Sequence, residues 1–296
     1  MLHWGVPSAT FDGLSSFCES EVPEGISQIT FGRCQLNLLL RSRPSRNLIV
    51  FFSPAAQRAP GRTPPFFAGV DITKEIDASF LAIDDPALQY AEDVALGWHA
   101  GAADFPLQQV LPFVIRQVIE QSLADRVIIS GASSGGFASL YYGTLLPKAI
   151  VLAVNPQTDI LRYGREHFER YARVCFGWDG EQPIEGVFGS TVTCLPKLYH
   201  KGARSRAIYL QNSDDWHIKP HALPLIRALG GKDEPIDQSA SGMDFIFRKW
   251  GEGHAPLPRL VYKAALHHLA ERGPDGFSEA VDEALSSPQI VADSAS

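Results

Sequence analysis

Six short stretches of this chain are apolar at almost every position: Leu48 to Phe52, Phe80 to Ile83, Arg126 to Ser130, Ala149 to Val154, Arg206 to Gln211 and Met243 to Phe247. Runs that apolar are what strands covered on both faces require. Ahead of them, Leu36, Leu38 and Leu40 alternate with Gln35, Asn37 and Leu39, the signature of a half-buried strand. Between the runs the spacing changes to three and four. Leu107, Val110, Leu111, Val114, Ile115, Val118 and Ile119 mark one face of a helix, and Leu257, Leu260, Val261, Ala264, Ala265, His268 and Leu269 mark another. Pro112 predicts that the regular part of the first helix begins near it. Strands alternating with helices imply an α/β protein with a mostly parallel central sheet and helices on both faces.

Three regions break the alternation. Residues 1–25 have mixed polarity and read as an N-terminal arm, and 273–296 are small, polar and acidic and read as a loose tail. Between them, 26–272 form the expected main domain. Within it, 160–202 carry Arg162, Tyr163, Arg165, His167, Phe168, Tyr171 and Trp178 between two core strands. That stretch is expected either to cap an active site or to be a surface excursion.

Composition narrows the function classes. A formal net charge of −7 argues against nucleic acid or an anionic membrane as the main partner. No apolar run approaches the ~20 residues of a membrane span. The start, Met1 to Pro7, has neither a basic segment nor an apolar core of a leader, so a cytoplasmic location is expected. Cys18, Cys34, Cys175 and Cys194 are scattered and read as free thiols. His217 and His221 are four residues apart, as metal-binding pairs are, but no third ligand is evident, so no metal is expected.

The chemistry concentrates at Gly131-Ala132-Ser133-Ser134-Gly135-Gly136, which follows the strand at Arg126 and precedes an apolar stretch from Phe137. Strand, G-x-S-x-G and helix together define a nucleophile elbow, and no Gly-Lys-Ser/Thr follows to suggest a phosphate loop. The spacing picks Ser133, not Ser134, as nucleophile. A serine so placed needs a histidine to take its proton and a carboxylate to orient that histidine. Asp214 and Asp215 lie in the loop after the strand ending at Gln211, with Asp159 as a third candidate. His254 sits in a glycine-rich loop just before Pro256 and Pro258, whereas His267 and His268 fall inside the last helix and read as structural.

Ser133, the acidic loop after Gln211 and Gly253-His254 together resemble the α/β-hydrolase superfamily over roughly Ile26 to Arg272. Three further stretches are similar to the hydrolase-like proteins of accessory secretion and surface-polysaccharide systems, some of which are acetyltransferases. They are Asp84 to Leu88 with Gly97 to Gly101, Asn155 to Asp159, and Gln211 to His221. The resemblance implies an α/β-hydrolase fold, and places the acid about three residues before a returning aliphatic residue. Ile218 makes that acid Asp215 and leaves Asp214 to cap the loop. One oxyanion donor is then the N–H of Ser134. The second is expected from Ser53-Pro54-Ala55-Ala56, where many hydrolases carry His-Gly; Pro54 has no N–H, so Ala55 is the first choice. Arg58, Arg62, Phe66 and Phe67 extend that loop as an acyl or anion pocket or as a solvated surface.

The expected activity is that of a serine hydrolase cleaving a small-molecule or glycan ester, with no cofactor. Two alternatives stand beside it. One is an acyltransferase delivering the acyl group to a sugar hydroxyl; the other is a non-catalytic partner protein in a secretion or polysaccharide assembly. Homo-oligomerisation is left open.

Overall fold

Alternation along each apolar run decides which side chain faces which layer. In β4 (Asn47–Phe52), Leu48, Val50 and Phe52 enter one core, while Ile49 and Phe51 enter the other. The same division holds in β5 (Ser79–Ile83), with Leu81 and Ile83 on one side and Phe80 and Ala82 on the other. Each strand is apolar throughout because both of its faces are buried.

The computed structural model of the protein describes residues 4–59 and 61–288. The remaining strands are β1 (Ser8–Phe11), β2 (Gly25–Phe31), β3 (Cys34–Arg41), β6 (Arg126–Ala132), β7 (Ile150–Val154), β8 (Arg206–Asn212), β9 (Gln238–Ala240) and β10 (Met243–Arg248). Among the described residues they form one ten-stranded sheet in the order β1-β2-β3-β5-β4-β6-β7-β8-β10-β9. From β5 to β10 every neighbouring pair is parallel; β2–β3, β3–β5 and β9–β10 are antiparallel.

The helices are α1 (Gly13–Cys18), α2 (Leu107–Ser122), α3 (Ser134–Gly143), α4 (Arg165–Phe176), α5 (Ile184–Val187), α6 (Leu195–Tyr199), α7 (Ala222–Ala228), α8 (Arg259–Arg272) and α9 (Phe277–Leu285). The faces of α2 and α3 join the first core, and those of α8 and α9 join the second. Helix α2 starts at Leu107, so Pro112 lies within it. It falls in the second turn, where a proline removes only one intrahelical bond, and its exposed neighbour Phe113 shows where the buried face ends.

Residues 4–25 and 273–288 carry more regular structure than their composition suggests. The arm supplies β1, which pairs in parallel with β2, and α1, whose Phe17 is fully buried. Four-residue strands and six-residue helices are too short to leave a periodic signal. After Gly273, α9 buries Phe277 and Val281 against α8, and Arg248 reaches it through ion pairs to Asp282. Residues 289–296 of the expected tail lie outside the described residues. Residues 160–202 form a 3-10 turn followed by α4, α5 and α6, and Tyr171, Cys175 and Phe188 pack into the first core.

Candidate active site

Ser133 sits where β6 ends and α3 begins, with φ 54° and ψ −115°. A non-glycine residue in that region is strained by roughly 1–3 kcal/mol and persists only where its surroundings hold it. Here its N–H donates to Val154 O at 3.0 Å, and its C=O accepts from Phe137 N and Gln157 N, both at 3.2 Å. The neighbouring glycines are required by close approach. A Cβ on Gly131 would lie 2.5 Å from Gly135 O, and one on Gly136 would lie 2.6 Å from the Pro156 Cβ. One on Gly135 would collide with the Phe52 carbonyl of β4. The elbow is therefore wedged between β4 and the end of β7.

Three of the sequence-predicted residues meet. His254 Nε2 is 3.1 Å from Ser133 Oγ, and His254 Nδ1 is 2.7 Å from Asp215 Oδ2. Asp215 is buried, accepts the His217 N–H on Oδ1 at 2.9 Å and accepts from Gln211 Nε2 on Oδ2 at 3.1 Å. Burial alone would push its carboxyl up. The hydrogen bond from His254 and the His217 N–H outweigh that, so it lies below its ordinary value and is ionised. Asp214 is exposed and faces Lys249 at 3.8 Å; Asp159 caps the turn at Leu161 and approaches Arg162 at 3.5 Å. Neither carboxylate is paired with His254. Ser134 is the first residue of α3, and Ala55 is exposed on the loop after β4.

The loop carrying His254 has little internal structure and is held from outside by two asparagines. Asn212 Nδ2 donates to Gly251 O at 3.0 Å and Gly253 O at 2.8 Å, and Asn155 Nδ2 donates to Ala255 O at 2.9 Å. Asn155 Oδ1 accepts from Asn212 N at 2.8 Å and Gln211 Nε2 at 3.1 Å, so one side chain ties the ends of β7 and β8 to the histidine loop. Asn155 has φ 42°, a left-handed conformation asparagine tolerates better than most residues.

His217 and His221 are both buried. The His217 ring lies 3.9 Å from that of His254 and 4.9 Å from that of His221. Burial, reinforced by His254, lowers His217 to about 4; burial, reinforced by His217 and His254, lowers His221 to about 2. Both are neutral near pH 7 and wall the site instead of charging it. Asp215, His217 and His254 bring one donor atom each within 4.8 Å, a spacing a cation tolerates, although the closest two atoms are already bonded to each other. Tyr163, from the stretch after β7, stacks on Trp216 at 5.8 Å and meets the His217 ring edge-on at 5.7 Å.

The stretches that carry the second resemblance converge on Ser133. Asp85 Oδ2 accepts from Gly97 N at 2.8 Å and His99 N at 3.1 Å, organising a turn in which Trp98 and His99 both have positive φ. The Trp98 indole N–H donates to Gln157 Oε1, and Gln157 Nε2 donates to Ser133 Oγ at 2.9 Å. Gln157 was thus inside a singled-out stretch, but only its tertiary contact reveals what it touches. Arg58 and Arg62 stack over Phe66 at 5.3 and 5.8 Å and line a cavity of about 660 Å³ with Tyr90 and Glu92, to which none of Ser133, Asp215 and His254 contributes. Phe67 points away into the second core, against Trp4.

No protein-family model and no curated protein matches the chain. Solved structures do. The capsule O-acetyltransferase of Neisseria meningitidis serogroup A is 15% identical, covers 88% of this chain and 100% of its own, and has a TM-score of 0.59. The glycosylation-associated Gap123 complex from Streptococcus agalactiae is 16% identical, with 84% of this chain and 47% of that one covered and a TM-score of 0.60. A putative dipeptidyl aminopeptidase IV from Bacteroides ovatus is 13% identical over 86% of this chain and 35% of its own, with a TM-score of 0.54. At such identities the likeness is one of fold. The protein has an α/β-hydrolase fold, and its mostly parallel sheet carries the elbow at the end of a central strand. Among the described residues no helix is long and apolar enough to cross a membrane.

Proposed function

We propose that the protein is a serine-dependent enzyme that cleaves an ester through an acyl-enzyme. The hydrogen-bonded chain Asp215–His254–Ser133, with links of 2.7 and 3.1 Å on a strained elbow, carries this reading. Ser133 Oγ attacks the ester carbonyl as its proton passes to His254 Nε2. Asp215, ionised and buried, holds the Nδ1–H and balances the imidazolium. The oxyanion is received by the N–H of Ser134 at the start of α3, with the Ala55 N–H as the expected donor from the loop after β4. Collapse expels the alkoxide, which takes the proton from His254. Water or another alcohol then reverses these steps to release the acyl group.

Water is the first acceptor considered. Transfer to a sugar hydroxyl is the second reading, favoured by a likeness that spans the whole of a capsule O-acetyltransferase. The likeness to part of the Gap123 complex supports looking for a protein partner of the same kind. A fluorophosphonate probe is expected to label the wild type and not Ser133→Ala; an unlabelled wild type would end the proposal. With p-nitrophenyl acetate, a sugar acceptor that accelerates turnover and appears acylated selects transfer, whereas free acetate alone selects hydrolysis.

A further inference from the structure

We infer that Gln157 is a catalytic hydrogen-bond donor of this site: its side-chain N–H holds the resting Ser133 Oγ and then donates to the oxyanion that forms beside it. The inference rests on the acyl-enzyme reading above. Gln157 is fully buried at the end of β7, with Nε2 2.9 Å from Ser133 Oγ. Its orientation is fixed chemically. An indole nitrogen can only donate, so the contact from Trp98 must fall on Oε1 and turn Nε2 toward the serine. Trp98 is itself fully buried, held in a positive-φ turn by Asp85 and packed against Tyr171 at 5.4 Å. A carboxamide buried this deeply costs desolvation unless both ends are bonded, and here one of the two partners is the nucleophile.

A serine hydroxyl has one proton and two lone pairs. With Gln157 occupying one lone pair, the proton is directed to His254 and the second lone pair is left for attack. As the Oγ–C bond forms, the carbonyl π pair moves to oxygen and the Oγ proton goes to His254 Nε2. Oγ becomes a weakly accepting ether-type oxygen, while the new oxyanion sits on the carbon now bonded to it. A hydrogen bond to that anion is roughly twice as strong as one between neutral groups, so the amide contributes more in the transition state than in the resting enzyme. Collapse breaks the bond to the leaving alkoxide, whose electron pair takes the proton from His254. In the loop after β4, Pro54 has no N–H and the Ala56 N–H is committed to Ala95 O at 2.8 Å, so Ala55 alone of these three has an N–H to share the task with Gln157.

The test uses the full-length protein, p-nitrophenyl acetate, and an alkyl trifluoromethyl ketone whose adduct with serine carries the oxyanion. Wild type is compared with Gln157→Leu and with the double variant Trp98→Phe/Gln157→Leu, which leaves no buried indole N–H unpaired. Acylation is expected to fall about 100-fold with KM changed less than about twofold, and ketone affinity to fall in parallel. Acylation within about threefold of wild type in the double variant, or a loss confined to KM, overturns the assignment. Fluorophosphonate labelling separates the two readings. An unlabelled wild type removes both, while a labelled wild type with an unimpaired Gln157 variant removes only the role of Gln157.

Discussion

Ser133 stands between two flanks built in opposite ways. Toward β7 and β8, Asn155, Gln211, Asn212, Asp215 and His217 are buried and joined by side-chain hydrogen bonds, with buried Gln157 bonded to Ser133 and buried His221 to the Thr158 N–H. Toward β4, Pro54 to Ala59 are half-buried or exposed and Gly61 and Arg62 are exposed, with Arg58 tied to the backbone of Ala91 and Glu92 and Arg62 lying over Phe66. The contrast bears directly on the proposed chemistry. Proton transfer requires fixed donors and acceptors in a dry setting, where a displacement of an ångström is costly. The flank toward β4 fixes few side chains in place. The buried flank should therefore respond steeply to mutation and the open one weakly.

The largest effect is expected at the point where the flanks meet. Ser133→Ala should lower ester turnover by at least three orders of magnitude, whereas Ser134→Ala stays within about threefold, since its backbone N–H survives. Comparable losses in both variants, read by steady-state kinetics and peptide mapping of the acyl adduct, would displace the elbow assignment. Asp215→Asn should cost about 10⁴-fold in kcat with the protein still folded, because an amide favours the wrong histidine tautomer. Asp214→Asn and Asp159→Asn are expected within about threefold. Collapse of either, with Asp215→Asn active, would move the acid to another loop.

Asn155→Ala tests the buried flank through stability. It strands the Asn212 N–H and takes one of several bonds from Gln211 and from the Ala255 carbonyl, which Trp250 Nε1 also reaches at 3.1 Å, so a loss of about 1–3 kcal/mol is expected in urea titration. A loss under 1 kcal/mol would mean that the histidine loop is held from elsewhere.

Acid should find the same flank. His217 at about 4 and His221 at about 2 refuse protons that the unfolded chain takes up below about 6.5. Their lowered values give stability that is fully present above pH ~6.5 and declines as pH falls, the His217 share until it too titrates near 4. His217→Gln should flatten that decline by about 2–3 kcal/mol between pH 6.5 and 4, measured as the difference from wild type in denaturant titrations. An unchanged slope would show that His217 gains a proton freely in the folded state. The smallest effects belong to the open flank. Arg62→Ala should alter stability by less than about 0.5 kcal/mol and kcat by less than threefold. Ala55→Pro, which deletes the loop's N–H, should cost less activity than Gln157→Leu; the reverse order would return the oxyanion to the β4 side.

How much was legible follows the reach of each signal. Strand and helix type showed in local periodicity, because covering both faces of Leu48 to Phe52 or one face of Leu107 to Ile119 dictates residue type within a few positions. Short segments such as β1 and α1 have too few residues to repeat a pattern, and packing defines them, whereas α9 does carry Phe277, Ala280, Val281, Ala284 and Leu285 at helical spacing beneath the acidic composition of its segment. Ser133, Asp215 and His254 could be nominated from spelling, because an elbow demands glycines and the acid and base follow in a fixed chain order. Their distances depended on Asn155 and Asn212, whose roles exist only once β7, β8 and the histidine loop lie side by side. Gln157, inside one of the stretches of the second resemblance, has its amide fixed toward the serine by Trp98, 59 positions away. The fold class and the candidate residues Ser133, Asp215 and His254 were open to local reading, since hydrophobic period and turn sterics are properties of neighbouring positions. Which buried polar groups hold those side chains came from the folded packing, because a hydrogen bond has no period along the chain.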